Sequence, residues 1–253
     1  MQTRVKSKVE IEIMREGGKM LVTVLDLLRT KYVVPGISTK ELAHDAATEL
    51  QKFSGAVPTI LGYQGFPDAI CISVNDEVVH GIPRTDRIIA EGDIVSLDFC
   101  VSYRGLITDA AVSTIAGKAK QKGHIELVKN TEIALMTGIN AVHDRVRTGD
   151  IGSNIEKFLK FKKYGIVRDL VGHGVGTEMH EDPNIPNYGR PNTGPWLDKG
   201  MTIAIEPMVT LGGDDVVVAD DGWTILTKDG SWAAHFEHTV VITEDGAEIL
   251  TQL

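Results

Sequence analysis

The chain predicts a single α+β domain. Three features carry that expectation: an apolar stripe at helical spacing over residues 9–32, a block of strand-like segments between 69 and 117, and a second strand-rich block from 166 onward, with two more helical segments between the blocks. The length of 253 residues fits one large domain or two small ones. No low-complexity tract or linker divides it, so 1–253 reads as one unit.

In residues 9–32, Ile13, Met14, Met20, Leu21, Val24, Leu25 and Leu28 recur at spacings of three and four, and Pro35-Gly36 breaks the pattern. Ser38 followed by Glu41 reads as a capping box opening a second helix to about Phe53. AICISV (69–74) is a strand with a turn signal at Asn75-Asp76, and residues 93–117 read as two strands around a turn near Tyr103-Arg104-Gly105. A long helix is expected over 120–146, and a shorter one from Ser153 to Tyr164, stopped by Gly165. The segments EGDIVSLDFC (91–100) and KGMTIAIEPM (199–208) share a plan: a glycine, an apolar strand, and an acid six residues after the glycine, Asp98 in one and Glu206 in the other. Lying 108 residues apart, they hint at two related halves.

Composition excludes several classes. Hydrophobic content of 42% and charged content of 24% are those of a globular protein with a sizeable core. Thirty-five acidic against 26 basic residues argue against a nucleic-acid reader, whose footprint is basic. Cys71 and Cys100 are the only cysteines, too few for a disulfide framework, so a reducing cytoplasm is the expected compartment. No segment has the apolar length of a signal peptide or membrane span.

The acids sit in unusual places. In IVSLDFCV the set Val95, Leu97, Phe99, Val101 is apolar, and Asp98 points to the opposite face with Ile94, Ser96 and Cys100. A turn centred on Tyr103-Arg104 makes Asp98 and Asp109 cross-strand neighbours, with Cβ atoms about 5 Å apart, or about 7 Å on a diagonal register. Like charges facing across a ladder are destabilising, so a cation between them explains the pair better than a solvated face. Glu206 in MTIAIEPMV and Glu237 in AAHFEHTVVIT are likewise acids set in apolar strands. With a histidine, this donor set suits a pair of Mn, Fe, Co or Zn ions better than calcium or a thiolate zinc site.

In VGHGVGTEMHEDP (171–183), His173 and His180 are seven apart, and Gly172, Gly174 and Gly176 argue against a helix. A glycine-punctuated strand or loop lets backbone pass close to another group. His80, in VVHGIP, occupies another Gly/Pro-bounded strand end.

HGIP, SLDFCVSYRGLITDAAVST, VGHGVGTEMHEDP, GMTIAIEPM and HFEHT, in this order, resemble the type I, bacterial-type methionine aminopeptidases over nearly the whole chain. The resemblance implies a pita-bread α+β fold of two pseudo-symmetric halves around a dinuclear centre, holding two divalent ions of the Co, Mn, Fe, Zn or Ni group. It implies that Asp98 binds one metal, that Asp109 and Glu237 bridge both, and that His173 and Glu206 bind the other. By the same resemblance Glu206 shuttles the proton, His180 lies beside the scissile carbonyl, and His80 contacts the residue after the initiator methionine. Tyr63, Phe66, Cys71, Met179 and Trp223 fall where the family lines its methionine pocket. The implied reaction is removal of N-terminal methionine, preferring a small second residue, by metal-activated hydroxide attack on the first peptide bond. The implied partner is the N-terminal peptide of a nascent protein, with transient ribosome contact, no direct nucleic-acid reading, no membrane and a monomeric state. Met179 and Gln64 depart from the family, which commonly has an aromatic and a histidine there.

Two other readings compete. Proline-specific peptidases of the same fold usually carry an additional N-terminal domain, whereas only about 70 residues precede the strand block here. A non-catalytic pita-bread binding protein would have lost metal ligands, and all five are present.

Overall fold

The computed structural model describes residues 3–253. Helix α1 (Lys8–Leu27) starts at a capping box: the Ser7 hydroxyl accepts from the Glu10 N–H, and the Glu10 carboxylate accepts from the Ser7 N–H. Its stripe of Met14, Leu21, Val24 and Leu25 is buried, and one π-helical turn, Leu28–Tyr32, carries it to the expected break. Ser38 and Glu41 form the same box at α2 (Thr39–Leu50), which ends three residues before Phe53.

The strands Ile94–Tyr103 and Leu106–Ile115 turn through Arg104-Gly105, with φ of 49° and 81°. Two left-handed residues make the tight turn that matches strand twist. Tyr103 then pairs with Leu106, Cys100 with Asp109, and Asp98 with Ala111. The direct Asp98–Asp109 pairing is thereby corrected: the turn centres one residue later than Tyr103-Arg104, and the two acids lie on the diagonal.

Helix α3 (Lys122–Ile139) is shorter than the expected 120–146. Val142 and Val146 continue the apolar pattern and are buried, but Val142 lies in the connection after the helix and Val146 opens the two-residue strand Val146–Arg147, with Arg145 at a φ of 63° between them. Helix α4 (Thr148–Lys162) begins a turn earlier than expected, with the Asp150 carboxylate accepting from the Arg147 N–H. Lys163, with φ 64°, ends it rather than Gly165, which opens the Gly165–Ile166 strand. A Cβ at Gly165 would run into Thr210 and the Gly212 carbonyl, so that glycine serves a close approach and not a helix stop.

A nine-stranded sheet joins both halves. Its order is Ala56–Pro58, Ile94–Tyr103, Leu106–Ile115, Glu237–Ile242, Thr202–Ile205, Gly172–Gly174, Glu181–Ile185, with Cys71–Val74 also paired to the second strand and Ala247–Ile249 to the fourth. Val95, Leu97, Phe99 and Val101 pack with α1 and α2 in one buried cluster. Ile203, Ile205, Val240 and Ile242 pack with α3 and α4 in another. Strand alternation therefore sends Asp98, Asp109, Ala111, Ala204, Glu237 and Thr239 to the face away from the helices. The two echoing segments occupy matching places, one strand outward on either side of the central Leu106–Ile115 and Glu237–Ile242 pair. Each follows a left-handed glycine, Gly92 (φ 78°) or Gly200 (φ 88°).

Candidate metal centre

Register alone gathers the carboxylates. Ala111 pairs with Asp98 on one side and Glu237 on the other, so a small side chain separates two acids, and Asp109 lies two residues back on the same face. Thr239 fixes the Asp109 backbone: its hydroxyl accepts from the Asp109 N–H (2.9 Å) and donates to the Asp109 carbonyl (2.8 Å). Glu206 comes just after Ile205, whose pairing with His238 brings it beside Glu237. His173 precedes Gly174, which pairs with Ile203. The His173 Nδ1 is bonded to the Gly174 carbonyl at 2.9 Å, which leaves Nε2 facing the acids.

Ligand atoms of Asp109, His173 and Glu237 all lie within 4.8 Å of one another. His173 Nε2 is 3.5 Å from Glu206 Oε1. Asp98, Glu206, His80 and His180 complete the wall of the same cavity, about 40 Å³, together with Ile60, Cys100 and Met179. All five expected ligands thus face one space, three in a tight triple and two beside it. Phe66, Cys71 and Met179 are buried in one apolar cluster with Ile60, against which Tyr63 and Trp223 pack. Met179 lines the cavity itself, while Trp223 stands edge-on to Phe66 and His80, at 5.2 and 6.3 Å between centroids. The Tyr63 hydroxyl is 3.4 Å from His180 Nδ1. His80 holds a φ of 58°, a costly conformation for a non-glycine residue and one that clusters at functional sites.

The electrostatics call for a cation. Among the described residues only histidines, His173 and His235, approach these acids within salt-bridge distance. Burial, then the neighbouring Asp109, pushes Asp98 up to about 8, and burial with Glu206 pushes Asp109 up to about 7. Burial raises Glu206 to about 8, and burial followed by Asp109, Glu206 and Asp98 raises Glu237 well above the usual carboxylate range. Burial lowers His80 and His173 to about 4 and also lowers His180, so all three are neutral near pH 7. Asp109 Oδ1 and Glu237 Oε1 are buried without a hydrogen-bond partner. Unpartnered acids that repel one another beside a neutral imidazole fit a divalent cation, and the oxygen-rich set with one nitrogen suits a borderline metal.

Three residues of the site escaped the sequence reading. Ile60 and Cys100 line the cavity. His235 is buried with both ring nitrogens unpartnered, and its Nε2 is 3.6 Å from Glu206 Oε2. The signal was present in HFEHT, where period-two alternation sets His235 on the side of Glu237.

Residues 12–244 match metallopeptidase family M24, so fold and site together define a metallopeptidase. Methionine aminopeptidase of Clostridium acetobutylicum is 43% identical over 247 residues, covering 98% of each chain. The crystal structure of methionine aminopeptidase from Thermotoga maritima superposes with a TM-score of 0.96 at 46% identity, covering 100% of both chains. Prolidase from Pyrococcus furiosus shares the pita-bread fold at a TM-score of 0.75 and 22% identity, and the chain spans 65% of it. The chain belongs to the methionine aminopeptidases of family M24.

Proposed function

We propose that this metallopeptidase removes N-terminal methionine through the cavity bounded by Asp98, Asp109, His173, Glu206 and Glu237, and that 1–253 works as one domain. The observation that carries the reading is the set of four acids, Asp109 and Glu237 buried and Asp98 and Glu206 half-buried, facing His173 with no Lys or Arg partner among the described residues. Asp98 would hold one ion, Asp109 and Glu237 would be shared, and His173 and Glu206 would hold a second; Mn, Fe, Co, Zn and Ni all suit these donors. Bound there, such ions lower the pKa of water and polarise a carbonyl.

The chain's own groups account for the rest. The acid-rich wall attracts a free α-ammonium, which explains action at a chain end. The cluster of Phe66, Cys71 and Met179, with Tyr63 and Trp223 against it, offers a flexible thioether an apolar seat. His180, neutral through burial, donates an N–H to the oxygen of the scissile carbonyl as negative charge develops there. Glu206 takes the proton of the attacking water and returns it to the leaving amine. His80, beside Trp223, crowds the second residue and favours a small one. Cys71 and Cys100 are free thiols, which supports a place in the reducing cytoplasm. No helix among the described residues is long and apolar enough to cross a membrane.

The test is Glu206→Gln, which keeps shape and removes the titrating group. The variant is expected to fold and to lose turnover of a Met-Ala-Ser peptide by about 100-fold or more. Retention of more than about a tenth of the rate contradicts the proton-transfer role.

A further inference from the structure

The glycines of residues 171–183 answer to the N-terminal segment. A Cβ at Gly174 would lie 2.7 Å from Thr3 Cβ, and one at Gly176 would overlap Lys6 Cε and come within 2.6 Å of Lys6 Nζ. The segment is tied down along its length: the Thr3 N–H donates to the Asp182 carbonyl at 2.6 Å and the Lys6 N–H to the Gly200 carbonyl at 2.8 Å. The Lys6 side chain runs inward under the loop that carries His180. Its Nζ donates to Glu181 Oε2 at 3.0 Å and to Thr3 Oγ1 at 2.9 Å, and the Lys6 and Glu181 side chains are 0% and 1% exposed. The other Glu181 oxygen closes the loop on itself, accepting from the Thr177 N–H (2.8 Å), the Thr177 hydroxyl (2.9 Å) and the Glu178 N–H (3.3 Å). Both ends of the loop that presents His180 to the cavity are therefore held by one carboxylate, and that carboxylate is held by Lys6.

A buried ion pair is a weak source of net stability, because desolvating two charges cancels much of their attraction. What such a pair does supply is direction: an ammonium and a carboxylate hydrogen-bonded to each other and to their neighbours favour one arrangement of the backbone that bears them. Misplacing a catalytic group by about 1 Å can cost on the order of 100-fold in rate.

We propose that Lys6 and Glu181 are positioning residues that hold His180 at the reacting carbonyl, which makes the segment Thr3–Ser7 a working part of the active site. The inference rests on the role given to His180 above, and the test separates the two. Lys6→Met and the milder Thr177→Val are made in the wild-type and the His180→Ala backgrounds. For each variant kcat and KM are measured on a Met-Ala-Ser peptide with Mn²⁺, Mn²⁺ binding by calorimetry, and the melting temperature. In the wild-type background Lys6→Met should lower kcat by about 10- to 100-fold and Thr177→Val by a few-fold, with Mn²⁺ affinity and KM within about two-fold of the parent. In the His180→Ala background the same substitutions should change kcat less than about two-fold, since no His180 remains to be misplaced. A merely structural role would lower the melting temperature and leave kcat of the folded enzyme unchanged, or lower kcat equally in both backgrounds; either result overturns the proposal. Should Lys6→Met not fold, Thr177→Val alone decides by the same comparison. Wild-type turnover in His180→Ala itself would refute the role of His180 instead.

Discussion

Without a cation the acids of the centre should make the folded protein sensitive to alkaline pH. Asp98, Asp109 and Glu206 stand at about 8, 7 and 8, against ordinary values of 3.8, 3.8 and 4.5. Folding therefore captures protons that the unfolded chain gives up, and raised values stabilise the fold at low pH and lose that contribution as pH rises through 7 to 8. Each net proton released changes the unfolding free energy by about 1.4 kcal/mol per pH unit. One net proton is the smallest release expected of three raised, mutually repelling carboxyls. For a chain of this size, about 1 kcal/mol moves the melting temperature by 2–4 °C. The chelated protein should thus lose roughly 3 °C or more per pH unit between pH 6.5 and 8.5. Below pH 6.5 the slope is partly offset: His80 and His173, lowered to about 4, stay neutral in the fold while the unfolded chain takes up their protons. With Mn²⁺ at a hundredfold excess over Kd, each site adds about 2.7 kcal/mol to the folded form, and bound metal replaces the protons. Melting curves with EDTA and with Mn²⁺ across pH 5.5–8.5 provide the assay. The gap between them should widen above pH 6.5; a gap that is absent, or that shrinks as pH rises, refutes the shared-cation reasoning.

Other perturbations reach different links of the account. His180→Ala should keep its bound metal and lose about 100- to 1000-fold in kcat, measured by calorimetry and turnover together; loss of metal would make His180 a ligand and not a donor. Peptides beginning Met-Ala should be cleaved with a higher kcat/KM than those beginning Met-Leu, and equal values would remove His80 from second-residue selection. Ser38→Ala breaks the capping box of α2 far from the cavity, and should cost about 1 kcal/mol, or 2–4 °C in melting temperature, with kcat unchanged.

Legibility in the sequence followed the physics of each feature. α1 and α2 were readable because apolar stripes and Ser–Glu boxes are local signals. The end of α3 was not, because Val142 and Val146 are buried from a connection and a short strand, and apolar spacing reports burial without reporting backbone shape. The acids stood out as charges within apolar strands, yet their register hung on one residue, Arg104, adopting a left-handed conformation. His235 was hidden by its surroundings: beside Glu237 it read as part of a motif, and only the fold brings its ring to Glu206. The Lys6–Glu181 pair spans 175 residues of sequence, and no periodicity links its members.

The most direct test of the central claim is release of free methionine from a Met-Ala-Ser peptide by protein stripped of metal with EDTA and dialysed, before and after addition of Mn²⁺. The carboxylate centre predicts no release from the stripped protein and rapid release on adding Mn²⁺, with cleavage confined to the first peptide bond. Release that persists unchanged in EDTA, or none at all once Mn²⁺, Fe²⁺, Co²⁺, Zn²⁺ and Ni²⁺ have each been supplied, would contradict it.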